Sequence, residues 1–218
     1  MIPKFDERAN KILDEIIEAR RSIRAFTRDV PPREMIVELI RAGLWAPYGA
    51  LAVAGRSDFR RFFVLRRGTP AIEEAARLIR LRAQKAVSKT LRELGREPAK
   101  GNPGAAYFDR IKALAENGPP TLKAAPYYIV VAEYQGVPPC GLESLAHCLE
   151  NMWLKATALG LAFQLVSVTE SMADDEEFAK LLGLPFGEYV LDGCAVGYPA
   201  AEPAKAARPA PAERTVWL

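Results

Sequence analysis

Arg20-Arg21-Ser22-Ile23-Arg24 puts three guanidinium groups and a hydroxyl within five residues, where an amphipathic helical pattern gives out. Guanidinium forks bind phosphate bidentately, and a serine hydroxyl adds a neutral hydrogen bond to the same oxygens. A compact group of this kind suits the phosphate of a cofactor better than a diffuse basic face does. Taken alone, the cluster reads as readily as a solvated helix end, so its meaning depends on the elements that position it.

Other reactive side chains are scarce. His147 is the only imidazole, and it lies in the most apolar helical stretch, where a structural histidine is expected. Cys140, Cys148 and Cys194 are odd in number and widely spaced, with no CxxC or Cys/His pattern, so free thiols and no metal site are expected. There is no GxGxxG fingerprint, no Walker loop and no Ser/His/Asp set. No side chain stands out as catalytic, which points to chemistry carried by a cofactor.

The 218 residues are half hydrophobic and 26% charged, which suits one folded domain over 1–218. A net charge of +3 favours small anionic ligands over a dedicated nucleic-acid surface. Residues 60–96 hold eleven Lys/Arg against three Asp/Glu. Arg77, Arg80 and Lys85 alternate there with Leu78, Ile79 and Leu81, however, and no aromatic residue falls between 64 and 106 to stack on bases. A surface helix is expected, with no nucleic-acid partner. The first residues lack the apolar stretch of a signal peptide, and no apolar run nears the roughly 20 residues that span a bilayer. The expectation is a soluble cytoplasmic protein with no membrane partner.

The positioning elements follow from periodicity. Phe5, Ile12, Leu13, Ile16 and Ile17 stripe a first helix over residues 5–20. Pro32 suits the first turn of a second, with Met35, Ile36, Leu39, Ile40 and Leu44 on its buried side and Ala46-Pro47 ending it. Phe62–Leu65 reads as a strand, residues 70–95 as a long helix and residues 105–117 as a shorter one. Ala125–Ala132, aromatic and β-branched, is the clearest strand. Residues 142–159, apolar on most sides, predict a central core helix. Leu161–Val168 predicts a strand, Asp174–Glu177 the first turn of a helix, and Tyr189–Val196 a final strand. Trp45 and Trp153 are expected in the core, and Tyr107 and Phe108 either there or facing a substrate. Without regular βαβ alternation, the fold class is α+β.

In order and spacing these landmarks resemble the FMN-dependent nitroreductase family. Arg20–Arg24 follows the first helix and Ala46-Pro47 the second. Ala125-Pro126 opens a strand, and the helix from Ala146 ends in Leu159-Gly160-Leu161. Leu181-Leu182-Gly183-Leu184-Pro185 and Gly197-Tyr198-Pro199 come next, with Lys205 and Arg208 beyond them. The resemblance implies a mostly antiparallel sheet flanked by helices, a variable helical cover at about 68–120, and a homodimer with an extended tail over 199–218. It also implies two FMN sites, each lined by both chains. Arg20, Arg21, Ser22 and Arg24 would hold the phosphate and the polar edge of the flavin, joined by Lys205 and Arg208. Pro47, Tyr48 and Gly49 would pack on the flavin from the other subunit. Gln164, Leu165, Val166 and Ser167 would approach its reactive nitrogen.

Two stretches depart from the family pattern. After Ala46-Pro47 the family carries a serine, an asparagine and then Gln-Pro-Trp, where this chain reads Tyr48–Gly55 without those amides. A common Glu-Gly pair is replaced by Ser167-Val168. The implied activity is transfer of electrons from NAD(P)H to an electron-poor aromatic or quinone-like acceptor. Dehalogenation, metabolite oxidation, or a flavin-binding regulatory dimer with little turnover are the alternatives.

Overall fold

Tyr127–Tyr134 forms the strand that organises the molecule (β2), and its six inner residues are all buried. Successive side chains of a strand point to opposite faces, so a strand buried on both must lie between two covering layers. The computed structural model, which describes residues 4–48, 56–204 and 206–218, has that arrangement. Four strands, β1 (Arg60–Arg66), β2, β3 (Ala162–Leu165) and β4 (Tyr189–Gly197), lie in the order β1-β2-β4-β3, and every neighbouring pair is antiparallel.

One face carries Tyr128, Val130, Ala132, Leu191 and Ala195, packed against Ile72, Leu78 and Ile79 of α3 (Pro70–Leu94) and Phe178 and Leu182 of α7 (Glu176–Leu182). The other carries Ile129, Val131, Phe163, Cys194 and Val196, under Ile36 and Leu39 of α2 (Arg33–Leu44) and Leu145, Leu149 and Met152 of α6 (Gly141–Ala158). Close approach on this side needs Gly43, where a Cβ would stand 2.9 Å from Met152 Cγ and 3.0 Å from Cys148 Sγ. The remaining helices are α1 (Glu7–Ala19), capped by the Asp6 carboxylate on Ala9 N–H, then α4 (Pro103–Asn117) and the single turn α5 (Pro120–Ala124). No helix among the described residues is long and apolar enough to cross a membrane.

Several sequence expectations need correction. Pro32 is the N-cap of α2 and not part of its first turn. The strand expected over Leu161–Val168 stops at Leu165, and Ser167–Asp174 winds into a 3-10 helix held by Thr169 Oγ1 donating to the Val166 carbonyl. α6 is buried along one face only: Leu142, Ala146, His147 and Glu150 are exposed, so the helix is not central within this chain, and the histidine is not in its core. Trp45 is 82% exposed, whereas Trp153 is half-buried. α1 has no buried residue at all, and its stripe of Ile12, Leu13 and Ile17 faces outward. Phe108 is core and Tyr107 is exposed. Burial raises the pKa of both the Cys148 and Cys194 thiols, Cys148 to about 12, so neither is a nucleophile near neutrality.

Two charged features lie inside this apolar frame. Arg60 and Glu133, opposite each other on β1 and β2, form an ion pair at 2.5 Å with both side chains buried. Removing one member of such a pair typically costs ~3–5 kcal/mol, because the other charge is left buried and unpaired. Asp192 is held on β4 with only the Gly193 N–H as hydrogen-bond partner among the described residues. Burial lifts its pKa to about 6, with Glu170 adding to the rise. A carboxyl raised above its unfolded value opposes folding once ionised. The penalty is absent well below pH 3.8, grows between there and pH 6 and is complete above it. Asp192→Asn should therefore raise the melting temperature at pH 8, by a stabilisation of about 1–3 kcal/mol, and leave it nearly unchanged at about pH 2.5. Paired thermal melts at the two pH values test this, and equal shifts at both would contradict it.

Candidate functional site

The segment after α1 is stitched to the free edge of the sheet. Ser22 makes a parallel bridge to Phe163 of β3, and Ile23 N–H donates to the Phe163 carbonyl at 3.1 Å. The same segment binds the chain that leaves β4. Phe26 bridges Pro199, Thr27 N–H donates to the Tyr198 carbonyl at 2.9 Å, and Ala200 N–H to the Ala25 carbonyl at 3.0 Å. The arginine motif therefore lies between an edge strand and the start of the tail. It is held there by backbone bonds that leave side chains free.

Those side chains divide. The Arg20 guanidinium lies 4.4 Å from the Trp153 ring centroid, and its Nε is 3.2 Å from Glu150 Oε1. Trp153 in turn stacks on Phe163 at 5.0 Å and donates its indole N–H to the Arg21 carbonyl. Arg21 turns back on the main chain, with Nη1 donating to the Glu18 and Arg20 carbonyls and Nε to the Ala204 carbonyl at 3.1 Å. That last bond brings the tail to the motif one residue before Lys205, which, like Gly49, lies outside the described residues. Ser22 and Arg24 are exposed, and neither side chain has a hydrogen-bond or ion-pair partner among the described residues. Arg208 is exposed on the tail.

Along the same edge, Gln164 Oε1 accepts from Thr121 Oγ1 of α5 at 3.1 Å. Leu165 is 37% exposed. Val166 is buried, its N–H donating to the Gly193 carbonyl at 2.7 Å, and Ser167 is exposed at the start of the 3-10 helix. Arg20, Arg21, Ser22, Arg24, Gln164, Leu165, Val166 and Ser167 are thus gathered along one edge. The exposed donors, Ser22 and Arg24, suit an anion, and the exposed Leu165 suits an apolar body beside it.

Pro47 and Tyr48 are not part of that group. The Pro47 carbonyl accepts from Arg60 Nη2 at 3.2 Å. The Tyr48 hydroxyl donates to the Tyr134 carbonyl at 2.7 Å, and its ring lies 4.8 Å from that of Phe59. Ser22 is level with the start of β2, through Phe163, Val196 and Tyr127. Tyr48 sits at the end of β2, seven residues on, or about 23 Å along the strand, toward the opposite edge. One chain does not bring the two groups together.

Sequence reading missed the Arg60–Glu133 pair. Half of its signal was present, since Glu133 is the one charge in an otherwise apolar and aromatic strand, whereas Arg60 is one of three arginines in β1. The Thr121–Gln164 contact had none, because α5 is too short for a periodic pattern.

The sequence profile of the Nitroreductase family matches residues 17–198. No protein with a curated description matches the chain. Among solved structures, a nitroreductase with bound FMN from Bacteroides fragilis is 25% identical. That match covers 98% of this chain and 100% of the other with a TM-score of 0.66. A BluB-like flavoprotein from Clostridium difficile is 21% identical over 94% of this chain and 98% of the other, with a TM-score of 0.70. An iodotyrosine deiodinase bound to FMN and 3-iodo-L-tyrosine is 23% identical over 91% and 95%, with a TM-score of 0.64. These last two show likeness of fold. With the profile spanning α2 through β4 and the arginine segment bonded to β3, the chain belongs to the nitroreductase family.

Proposed function

We propose that this protein is an FMN-dependent oxidoreductase that passes electrons from NAD(P)H to an electron-poor aromatic or quinone-like acceptor. The observation that carries the reading is the exposed Ser22 and Arg24 pair, held against β3 and the outgoing tail by backbone bonds. The FMN-bound relative from Bacteroides fragilis supports the choice of cofactor. Bound FMN would accept hydride from the nicotinamide and return the electrons to the acceptor in a second half-reaction.

The chain's own work is binding and positioning. Ser22 and Arg24, with Lys205 and Arg208, would converge on the phosphate, and Arg21 would join them by exchanging its bonds to the Glu18, Arg20 and Ala204 carbonyls for phosphate oxygens. Arg20 can join them cheaply, because its bond to Glu150 is half-exposed and pairs of that kind contribute little. Arg24 or Arg21 near the polar edge of the ring would supply positive charge where negative charge develops. Gln164, Leu165, Val166 and Ser167 would line the reactive side. No side chain is assigned as an essential acid or base.

Pro47, Tyr48 and Gly49 would reach the flavin from a second copy of the chain, since within one chain Pro47 and Tyr48 lie far from Ser22. The outward Ile12, Leu13 and Ile17 of α1 and the open face of α6 would form the homodimer contact, and the exposed Val216 and Trp217 of the tail would be covered by the partner. Helices α3 and α4 would serve as cover over the cleft. In this reading the protein works in the cytoplasm, where nicotinamide is supplied and Cys140, Cys148 and Cys194 stay reduced.

The purified protein should bind one FMN per chain, show flavin's visible band, and bleach when NADH or NADPH is added without oxygen. A protein that takes up no FMN would sink the proposal, and one that binds FMN but is reduced by neither nucleotide would favour a binding role. Arg20→Ala with Arg24→Ala should weaken FMN binding by about two orders of magnitude. Arg77→Ala with Arg80→Ala, on exposed positions of α3, should change it less than about threefold. Equal losses in titrations of the two pairs would reduce the motif to surface charge. Leu13→Glu with Ile17→Glu should yield monomers in sedimentation and lose FMN at the same time. A monomer with native FMN affinity would show that the site needs one chain only.

A further inference from the structure

Arg60 is the best-satisfied cation among the described residues. Its Nε meets Glu133 Oε1, its Nη1 donates to the Gly43 and Ala46 carbonyls at 2.9 Å each, and its Nη2 donates to the Pro47 carbonyl at 3.2 Å. Four of the five N–H groups of the guanidinium are used. Three of the acceptors belong to one short piece of chain, the end of α2 and the two residues that follow its last turn. That is the negative end of the helix dipole, so the charge and the donors act in the same direction. Tyr48 adds its own bond to the Tyr134 carbonyl. The piece from Gly43 to Tyr48 is thereby fastened to β1 and β2, although Trp45 within it is almost wholly exposed.

Glu133 is arranged to keep Arg60 in place. It faces Arg60 directly in the β1–β2 register, and no part of it is exposed. Its second oxygen, Oε2, is buried with no hydrogen-bond partner among the described residues. An orphaned carboxylate oxygen is costly, and packing alone would be served as well by two apolar side chains. The pair is therefore a poor device for stability. Its return is the set of three carbonyls that only a planar, five-donor cation can gather.

We infer that Arg60, held by Glu133, is a positioning residue for the flavin site. It sets the main chain at Ala46, Pro47 and Tyr48 so that this segment packs on the cofactor bound by the partner subunit. The inference rests on the flavin reading above and adds a residue to it that lies on the sheet and does not touch the cofactor.

The test uses the full-length dimer and three measurements: thermal melting, amide exchange at Trp45 and Ala46, and FMN affinity by fluorescence titration. The Trp45 and Ala46 N–H groups bond to the Ala42 and Gly43 carbonyls, so their exchange reports on the segment directly. Arg60→Met combined with Glu133→Leu removes both charges at similar volume and should melt within a few degrees of the native protein. The same variant should exchange Trp45 and Ala46 amides faster and bind FMN about tenfold more weakly. Arg60→Lys keeps the charge beside Glu133 but loses the planar fork, and should show the same two losses to a smaller degree. Native FMN affinity and native exchange in the double variant would overturn the inference and leave the pair a fold anchor. If the native protein binds no FMN, the flavin reading fails and the positioning role fails with it. Slow exchange that becomes fast in both variants would then show only that Arg60 fastens the segment.

Discussion

Everything in this molecule depends on two strands that have no solvent face. β2 and the second half of β4 are buried on both sides, so each must be covered by helices above and below. The run Tyr128 to Ala132 dictates this without help from distant residues, because side chains on both faces are aromatic or apolar. Once the pair forms, α3 and α7 are committed to one face and α2 and α6 to the other. The glycine at 43 lets the second layer come close enough to exclude water. The centre of the sheet is consequently a rigid platform with no chemistry of its own, since its thiols are held protonated by burial.

The polar devices of the proposed site lie at the edges. At the β3 edge, unpaired strand groups capture the arginine segment, so the exposed backbone of a short edge strand is used to place cations. At the β1 edge, a buried guanidinium gathers carbonyls from the end of α2. The two devices are of opposite kind. One uses main-chain bonds to present free side chains, and the other uses a side chain to fix a stretch of main chain.

The strands and long helices were legible in the sequence because their periodicity is local. Residues 127–134, 70–94 and 189–197 fell within a few positions of expectation. Errors came where the deciding partner is remote. Leu161–Val168 carries strand residues throughout, but β4 pairs only as far as Leu165, and the Thr169 hydroxyl turns the chain into a 3-10 helix beyond that point. α6 looked fully buried because hydropathy cannot tell a face packed on its own sheet from one that is left open. Trp45 misled for the same reason. At the site, the composition of the arginine motif was readable. The attachment of Arg20 to Trp153, however, depends on a helix more than a hundred residues away.

The same limit explains why the open surfaces matter more than the buried ones. A chain of this length could have hidden Ile12, Leu13 and Ile17 by turning α1 about its axis, since its opposite side is polar. The bonds from Ser22 and Ile23 to Phe163 tie the chain to the sheet just beyond the C-terminal end of that helix, and the stripe faces out. An orientation kept against the hydrophobic effect needs a compensating contact, and α6 presents its uncovered side close by. Under the proposed dimer, a second copy would meet both needs, cover for the apolar stripe and a Pro47–Tyr48 segment for the arginine edge.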